Sequence, residues 1–324
     1  MNIKHLIFPV ALSLSLTAFG QKTPVVAKTD STTKKGPVDY QKIIPANAIG
    51  QNGLFNIRQV DQKWFFEVPD SLLGRYLLAV TRYVTTPQGF GSFGGEKVNE
   101  QTIYFQKGNN NNLFLKGVVY RQETKNTSEA IYQAVMQSQE SPIVASFDIK
   151  ARNPVNGNYV IEVTDFFKKD VPVVSIAAEE KTEKKLGSLA DDRSFIEKIS
   201  CYPLNVEVKT TKTYSGSGLG VPAGALTGAI TLRLNISLLL LPKIPMRKRI
   251  ADERVGFFNN KYILFDENQQ RTQTKYLVQR YRLEPKKEDL AKYKKGILVE
   301  PQKQIVYYID PATPKKWRPY LIQG

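Results

Sequence analysis

A run of strict two-residue alternation near the centre of the chain limits what this sequence can fold into. Apolar side chains occupy every second position from Ile230 to Leu240, and mostly polar side chains fill the positions between them. Successive side chains of a β-strand point to opposite faces of a sheet, so this pattern predicts a half-buried strand. Residues 206–214 are a second β-rich stretch, which predicts a hairpin with a flexible Gly- and Pro-rich tip.

Short β-rich stretches recur from residue 52 to residue 283, separated by turn signals such as GNNNN (108–112) and NPVNGN (153–158). We therefore predict a mainly β protein of roughly a dozen short strands with few short helices. Sandwich-like and open-barrel arrangements of antiparallel sheets both fit this pattern. Residues 130–137 fit either a strand or a short helix, and residues 176–193 fit an exposed helix or loop.

The first twenty residues have the pattern of a signal peptide. A short basic start is followed by an apolar stretch, and Ala18 and Gly20 place small residues before a predicted cleavage site at Gln21. Export to the periplasm, the outer envelope or the extracellular space is therefore expected. Residues 21–38 are polar and predict a flexible lead. No later stretch is long and apolar enough to predict a transmembrane helix.

Histidine is almost absent from the sequence. His5 is the single histidine, and it lies within the predicted signal peptide. The mature chain therefore cannot supply a Ser-His-Asp triad, a Cys-His pair or histidine ligands for zinc. Cys201 is the single cysteine, so an internal disulfide is excluded, and we expect its side chain to be a small buried apolar group.

Positive charge dominates the composition. The chain has 46 Lys and Arg against 30 Asp and Glu, a formal net charge of +16 at pH 7. The basic residues are spread along the chain and do not form one stripe interleaved with aromatic residues. Together with the predicted export, this argues against a nucleic-acid partner and favours a solvated surface that contacts anionic envelope polymers.

Two loops are rich in glycine, a residue that is common where a backbone surrounds a phosphate group. Neither the loop from Gly216 to Gly224 nor the loop from Gly89 to Gly95 has the Gly-Lys-Ser/Thr sequence of a P-loop. We expect both to be flexible loops, and we expect Phe90 and Phe93 to be exposed where they could contact a partner.

Two carboxylate pairs and one serine are residue types that occur in catalytic sites. The pairs Asp191-Asp192 and Asp252-Glu253 are adjacent in sequence, which does not predict opposed carboxylates across a cleft, so turn or capping roles are expected. Ser194 has no histidine or Ser-x-x-Lys lysine to activate it, and it is expected to be a helix cap or a helix start signal. The sequence therefore predicts no catalytic, cofactor-binding or metal-binding residue.

Four stretches, taken in order, resemble one known family. They are GLFNIRQVDQKWFFEVPDSLLGRYLLAVTRY (53–83), DDRSFIEKISCYPLNVEV (191–208), MRKRIADERVGFF (246–258) and LVEPQKQIVYYIDPATPKKWRPYLIQG (298–324). The resemblance is to a bacterial family of secreted zinc-dependent metalloproteases, whose N-terminal domains of unknown function precede a catalytic domain. It covers about residues 38–324.

The resemblance implies a domain organisation. Residues 39–84 would form a small N-terminal β domain, and residues 85–300 a mainly β domain of uncharacterised function. Residues 301–324 would be the truncated start of the catalytic domain, with IVYYI (305–309) as its first strand and a helix after it. In the family a downstream His-Glu-x-x-His helix binds zinc and supplies the glutamate that activates water.

The resemblance also implies a function. None of the zinc-binding motif occurs in these 324 residues, so zinc is expected only in a catalytic domain missing from this chain. The chain is then an exported, non-catalytic region that supports or positions its own protease domain, and it is inactive as given. The alternative is a free-standing secreted β-rich module that binds envelope glycans or a protein partner.

Overall fold

The computed structural model describes residues 39–119, 122–124, 126–216 and 221–323. The predicted signal peptide and the flexible lead therefore lie outside the described residues, as do positions 217–220 of the predicted hairpin tip and Gly324.

The described residues form fifteen strands and seven short helices. The strands are β1 (Ile49–Gln51), β2 (Asn56–Val60), β3 (Lys63–Val68), β4 (Leu77–Thr85), β5 (Lys97–Lys107), β6 (Asn112–Val118), β7 (Gln122–Glu123), β8 (Ile143–Arg152), β9 (Tyr159–Glu162), β10 (Leu186–Leu189), β11 (Phe195–Cys201), β12 (Asn205–Gly216), β13 (Ala229–Leu240), β14 (Asn259–Leu264) and β15 (Gln273–Val278). The helices are α1 (Tyr40–Ile43), α2 (Ala130–Gln137), α3 (Thr164–Lys168), α4 (Ala178–Glu183), α5 (Pro222–Thr227), α6 (Leu290–Lys294) and α7 (Arg318–Gln323). Five single turns of 3₁₀-helix connect them.

Twelve of the strands form one antiparallel sheet that curls into a nearly closed barrel. Eleven follow the order β1-β2-β3-β9-β8-β6-β5-β4-β13-β12-β10, and β11 pairs with β12. The two ends of the sheet lie close together. Between β1 and β2, the Leu54 amide donates a hydrogen bond at 2.8 Å to the carbonyl oxygen of Tyr202, which directly follows β11. The predicted mainly β fold with few short helices is confirmed, and the barrel is the arrangement present.

The predicted hairpin between residues 206–214 and 229–241 is confirmed as β12 and β13. The two strands pair from Asn205 opposite Leu239 to Ser215 opposite Ala229. The described part of the tip is not a flexible loop as predicted, since residues 222–227 form α5. Gly228 ends this helix with a φ of 69°, a conformation that glycine adopts at little cost.

The barrel interior contains two apolar clusters that follow each other along β12 and β13. Val206, Val208, Ile236 and Leu238 belong to the larger cluster, which also contains buried side chains of β2 to β6, β8, β9 and β11. The opposite halves of the same two strands supply Tyr214, Ile230, Leu232 and Leu234 to the second cluster. One face of this single hairpin therefore contributes to both parts of the core.

A small separate sheet has the order β15-β14-β7, in which β14 and β15 are antiparallel and β7 is parallel to β14. The β-rich sequence of residues 255–258 predicts a strand, but regular pairing begins only at Asn259. The sequence also predicts a long strand from Gln273 to Leu283, and the strand present ends at Val278. Residues 130–137, whose sequence fits either a strand or a short helix, form the helix α2. The stretch 176–193 contains α4 and also β10, a strand that its charged sequence did not predict.

Residues 305–309 form no strand, although IVYYI has strong β propensity. A strand is stable when its backbone groups pair with a neighbour, and no other described strand pairs with this stretch. None of the described helices is long and apolar enough to cross a bilayer.

Strands from both predicted domains share the large sheet. β3 pairs with β9, and β4 lies between β5 and β13. The residue 84/85 boundary falls at the end of β4. The division into domains 39–84, 85–300 and 301–324 stays a prediction.

Two neighbouring leucines of β13 test the assignment of the core face. The Leu238 side chain is 2% exposed and Leu239 is 38% exposed. We expect Leu238→Ala to lower the free energy of unfolding by about 2–5 kcal/mol, because it leaves a cavity between β4 and β12. Leu239→Ala removes the same atoms from the outer face and should cost less than about 1 kcal/mol. Urea unfolding of both variants measures the difference, and equal losses would contradict the assignment.

Candidate functional site

The serine and the carboxylate pairs singled out in the sequence lie in turns. The Ser194 hydroxyl donates to the Ala190 carbonyl oxygen at 2.8 Å and accepts from the Thr213 amide at 3.1 Å. Ser194 is the C-cap residue of the 3₁₀ turn before β11. Asp191 and Asp192 are exposed at the start of that turn. Asp252 accepts hydrogen bonds from the backbone and side chain of Arg254, which is the predicted turn role.

Cys201 is half-buried at the end of β11, where the two ends of the barrel sheet meet. Its Sγ donates to the Phe55 carbonyl oxygen at 3.0 Å. Burial raises the pKa of this thiol, which keeps it protonated and poorly nucleophilic near neutral pH.

The loop from Gly89 to Gly95 differs from the prediction in one of its two phenylalanines. Phe90 is buried, and its ring packs edge-on against Tyr83 with 5.5 Å between the centroids. Phe93 is exposed as predicted. The loop therefore covers one end of the second apolar cluster with Phe90.

A hydrogen-bonded cluster of ionisable and hydroxyl side chains inside the barrel was not predicted from the sequence. The Lys212 ammonium group is fully buried and donates to the Lys169 carbonyl oxygen at 2.6 Å and to Ser175 Oγ at 3.3 Å. Ser175 in turn donates to Asp170, and the Tyr214 hydroxyl donates to the same carboxylate oxygen at 3.0 Å. We use the name Asp170 network for Asp170, Ser175, Lys212, Tyr214 and Lys181.

Burial and hydrogen bonding shift the pKa values within the Asp170 network in different directions. Desolvation lowers the pKa of Lys212 to about 8 and raises that of the Tyr214 phenol above its usual range. Burial also acts to raise the pKa of Asp170, but hydrogen bonds from Lys181 and Ser175 outweigh it and lower that pKa. Asp170 is therefore ionised at neutral pH and is held by Lys181 and by two hydroxyl groups.

The Ser175–Lys212 contact has the residue types of a Ser-Lys catalytic pair, but its geometry does not suit catalysis. A serine nucleophile must reach a substrate, whereas both side chains are fully buried. The Ser175 hydroxyl also donates a hydrogen bond to Asp170 and accepts a hydrogen bond from Lys212, so Lys212 is not placed to act as its base. The Asp170 network therefore has a structural role inside the barrel.

A second buried carboxylate has four partners. Glu67 on β3 is fully buried, accepts hydrogen bonds from Tyr40, Asn56 and Asn153, and lies 3.2 Å from Arg58 Nε. These contacts tie α1, β2 and the β8–β9 turn to β3. The site has no open side, so it too has a structural role.

The described residues contain no group of three or more His, Cys, Asp or Glu side chains placed to hold a metal ion.

None of the residues in the C-terminal segment, residues 279–323, is buried. Several of its large apolar side chains are almost fully exposed, including Leu298 at 97% and Tyr308 at 93%. Leu283, Val306 and Ile322 are more than half exposed as well. Large exposed apolar patches are typical of surfaces that bind a protein, a membrane or a ligand.

An open groove lies between the barrel and the small sheet and has a volume of about 1290 Å³. Tyr76 and Tyr104 line its barrel side, and α2 contributes Tyr132 and Met136. The chain between β13 and β14 and the inner face of the small sheet complete it. This groove and the C-terminal segment are candidate binding surfaces among the described residues.

Comparison with protein families gives two matches. Residues 37–86 match the family described as Domain of unknown function (DUF5118). Residues 95–286, more than half of the chain, match the family described as Domain of unknown function (DUF5117). The chain belongs to the DUF5117 family. Comparison with curated proteins and with solved structures gave no significant match.

The DUF5117 match contains the Asp170 network and nearly all of the groove lining. The DUF5118 match contains β1 to β4, so strands of both matched regions make up one barrel sheet. Most of the C-terminal segment lies beyond residue 286 and therefore outside both matches.

Lys212 gives the DUF5117 domain a pH-dependent stability. Its pKa is about 8 in the folded chain and 10.5 ordinarily, so the unfolded chain binds more protons between these values and stability rises with pH there. We expect the free energy of unfolding to rise by about 2 kcal/mol from about pH 7.5 to 9.5, and Lys212→Met to abolish the rise. Lys209→Met, which removes an exposed lysine from the same strand, should leave it intact. Denaturation across this pH range provides the measurement.

Two buried threonines of β12 allow a matched test of hydrogen bonding. Thr210 Oγ1 is buried without a hydrogen-bond partner among the described residues, whereas Thr213 Oγ1 donates to the Arg193 carbonyl oxygen at 3.0 Å. We expect Thr210→Val to be neutral or to stabilise the fold by up to about 1 kcal/mol, because an unsatisfied hydroxyl is removed. Thr213→Val should destabilise it by about 1–2 kcal/mol. Thermal unfolding of the two variants would contradict this if Thr210→Val were the more damaging change.

Proposed function

We propose that this chain is the exported, non-catalytic N-terminal region of a zinc-dependent metalloprotease, and that its C-terminal segment packs against the catalytic domain. The observation that carries the proposal is the absence of any buried residue from 279 to 323, in a stretch rich in large apolar side chains. An apolar segment of this kind gains stability when a partner surface covers it.

The identity of the partner comes from the sequence resemblance. Residues 298–324 resemble the junction at which the catalytic domain of such proteases begins, and IVYYI (305–309) matches its first strand. Val306, Tyr307 and Tyr308 are more than half exposed. A partner sheet would supply the backbone hydrogen bonds that this stretch lacks with other strands.

The barrel would serve as a rigid base for this contact. Its interior is filled by two apolar clusters, and its buried carboxylate Glu67 and half-buried carboxylate Asp170 are both hydrogen-bonded. A base of this kind holds the C-terminal segment in place without itself taking part in chemistry. The alternative of a free-standing binding module for envelope glycans or a protein remains a prediction.

The first test of the proposal is the DNA sequence downstream of codon 324. We expect an in-frame continuation that encodes a His-Glu-x-x-His helix, because two histidines one turn apart are the zinc ligands of such a protease. The purified 324-residue chain should have no chelator-sensitive peptidase activity. A stop codon without such a helix encoded nearby, or zinc-dependent proteolysis by the purified chain, would contradict the proposal.

The second test measures binding between this chain and that catalytic domain expressed separately. We expect Leu298→Asp/Tyr308→Asp to weaken binding at least about tenfold, because charges replace apolar contacts. Val155→Asp/Leu226→Asp is the matched control, since Val155 and Leu226 are 92% and 86% exposed on the barrel side of the molecule. Titration calorimetry that showed equal weakening by both double variants would place the contact elsewhere.

A further inference from the structure

We propose that the groove between the barrel and the small sheet binds an extended acidic polypeptide segment that also carries apolar side chains. The proposal concerns a different surface from the C-terminal segment and does not depend on which domain covers that segment. It rests on the charge, the apolar lining and the size of the groove.

The charge of the groove is strongly one-sided. Its cationic side chains are Lys243, Arg247, Lys248, Arg249 and Arg280. Among the described lining residues the single carboxylate is Glu140, and it is bound by the Lys116 ammonium group.

The cations along the edge of the groove are available to an anionic ligand. Lys243, Arg247 and Arg249 are exposed, and no carboxylate of the described residues forms an ion pair with them. Arg280 donates a hydrogen bond to the Arg247 carbonyl oxygen, which fixes one cation beside the others. Several like charges in one concave site attract an anionic partner and speed its association.

The floor of the groove distinguishes a polypeptide from an anionic polysaccharide. Much of it is aliphatic, with Val118, Met136, Met246, Ile263 and Leu277 among the lining residues. Aliphatic surface gains free energy by covering apolar side chains, which a peptide has and a heavily hydroxylated sugar chain lacks. The rings of Tyr76 and Tyr104 are tilted against each other at 5.8 Å and so do not form one flat platform for a sugar ring.

The size of the groove favours an extended ligand. Its volume of about 1290 Å³ is larger than a site for a small molecule, which is roughly 300–1000 Å³. A peptide with alternating acidic and apolar residues would place carboxylates at the cationic edge and apolar side chains on the floor.

The test uses a fluorescein-labelled peptide of six Glu-Leu repeats and fluorescence anisotropy. We expect the wild-type chain to bind this peptide, to bind it less tightly as salt is raised, and not to bind a Lys-Leu peptide of the same length. Arg247→Glu/Arg249→Glu should weaken binding at least about tenfold. Lys107→Glu/Arg271→Glu makes the same change in net charge outside the groove lining, and its effect should stay within about twofold.

A variant of the floor separates groove binding from general attraction to a basic protein. Met136 is 42% exposed on α2, so Met136→Ser should fold normally, as thermal unfolding can verify. It should weaken binding of the Glu-Leu peptide about threefold. Polyglutamate has no apolar side chains to place on the floor, so we expect it to bind weakly and equally to the wild-type chain and to this variant. Equal weakening by the two charge-reversal variants, no binding of the Glu-Leu peptide at low salt, or binding of polygalacturonate in its place would overturn the proposal.

Discussion

The pairing of β12 with β13 holds the interior of this protein together. One face of the hairpin supplies Val206 and Ile236 to the larger apolar cluster and Tyr214 and Leu232 to the smaller one. A change of register by one residue would turn every inward side chain of the affected strand outward and empty both clusters at once. Pairing over eleven residue positions therefore fixes the register on which both halves of the barrel depend.

The place where the two clusters meet contains polar groups that such an interior tolerates only when they are paired. Lys212 lies on the inner face of β12, and its ammonium group is satisfied by the Lys169 carbonyl oxygen and Ser175. The charge of Asp170 is balanced by Lys181 at the edge of the barrel. Removing one member would leave buried polar groups without partners, which costs more than the intact network contributes. The network thus specifies how the chain from α3 to α4 lies on the barrel.

Local pattern was sufficient to predict most of the strands but not their partners. The alternation from Ile230 to Leu240 predicts β13 and its buried face, because both depend only on neighbouring residues. Residues 305–309 form no strand among the described residues, because strand stability depends on a pairing partner that propensity cannot supply.

The Asp170 network escaped prediction for a similar reason, since Ser175 and Lys212 are 37 positions apart and only the fold brings them together. One signal was present in the sequence. Lys212 has the same parity as Val206, Val208 and Tyr214 along β12, so a lysine occupies an inward position. A charged residue at a core position of a strand predicts a buried partner, although not which residue that partner is.

The two proposed binding surfaces would hold a ligand by different forces. Ionic strength can therefore distinguish the contribution of one surface from that of the other. The C-terminal segment exposes large apolar side chains, and the burial of such side chains is little affected by simple salts and is strengthened by sulfate. The groove attracts its ligand through exposed cations, and at an ionic strength of 0.15 M exposed charges interact over only about 8 Å. A partner held by both surfaces would lose the groove contact first as salt rises. The apolar contact would remain, so one complex would show two stages of release.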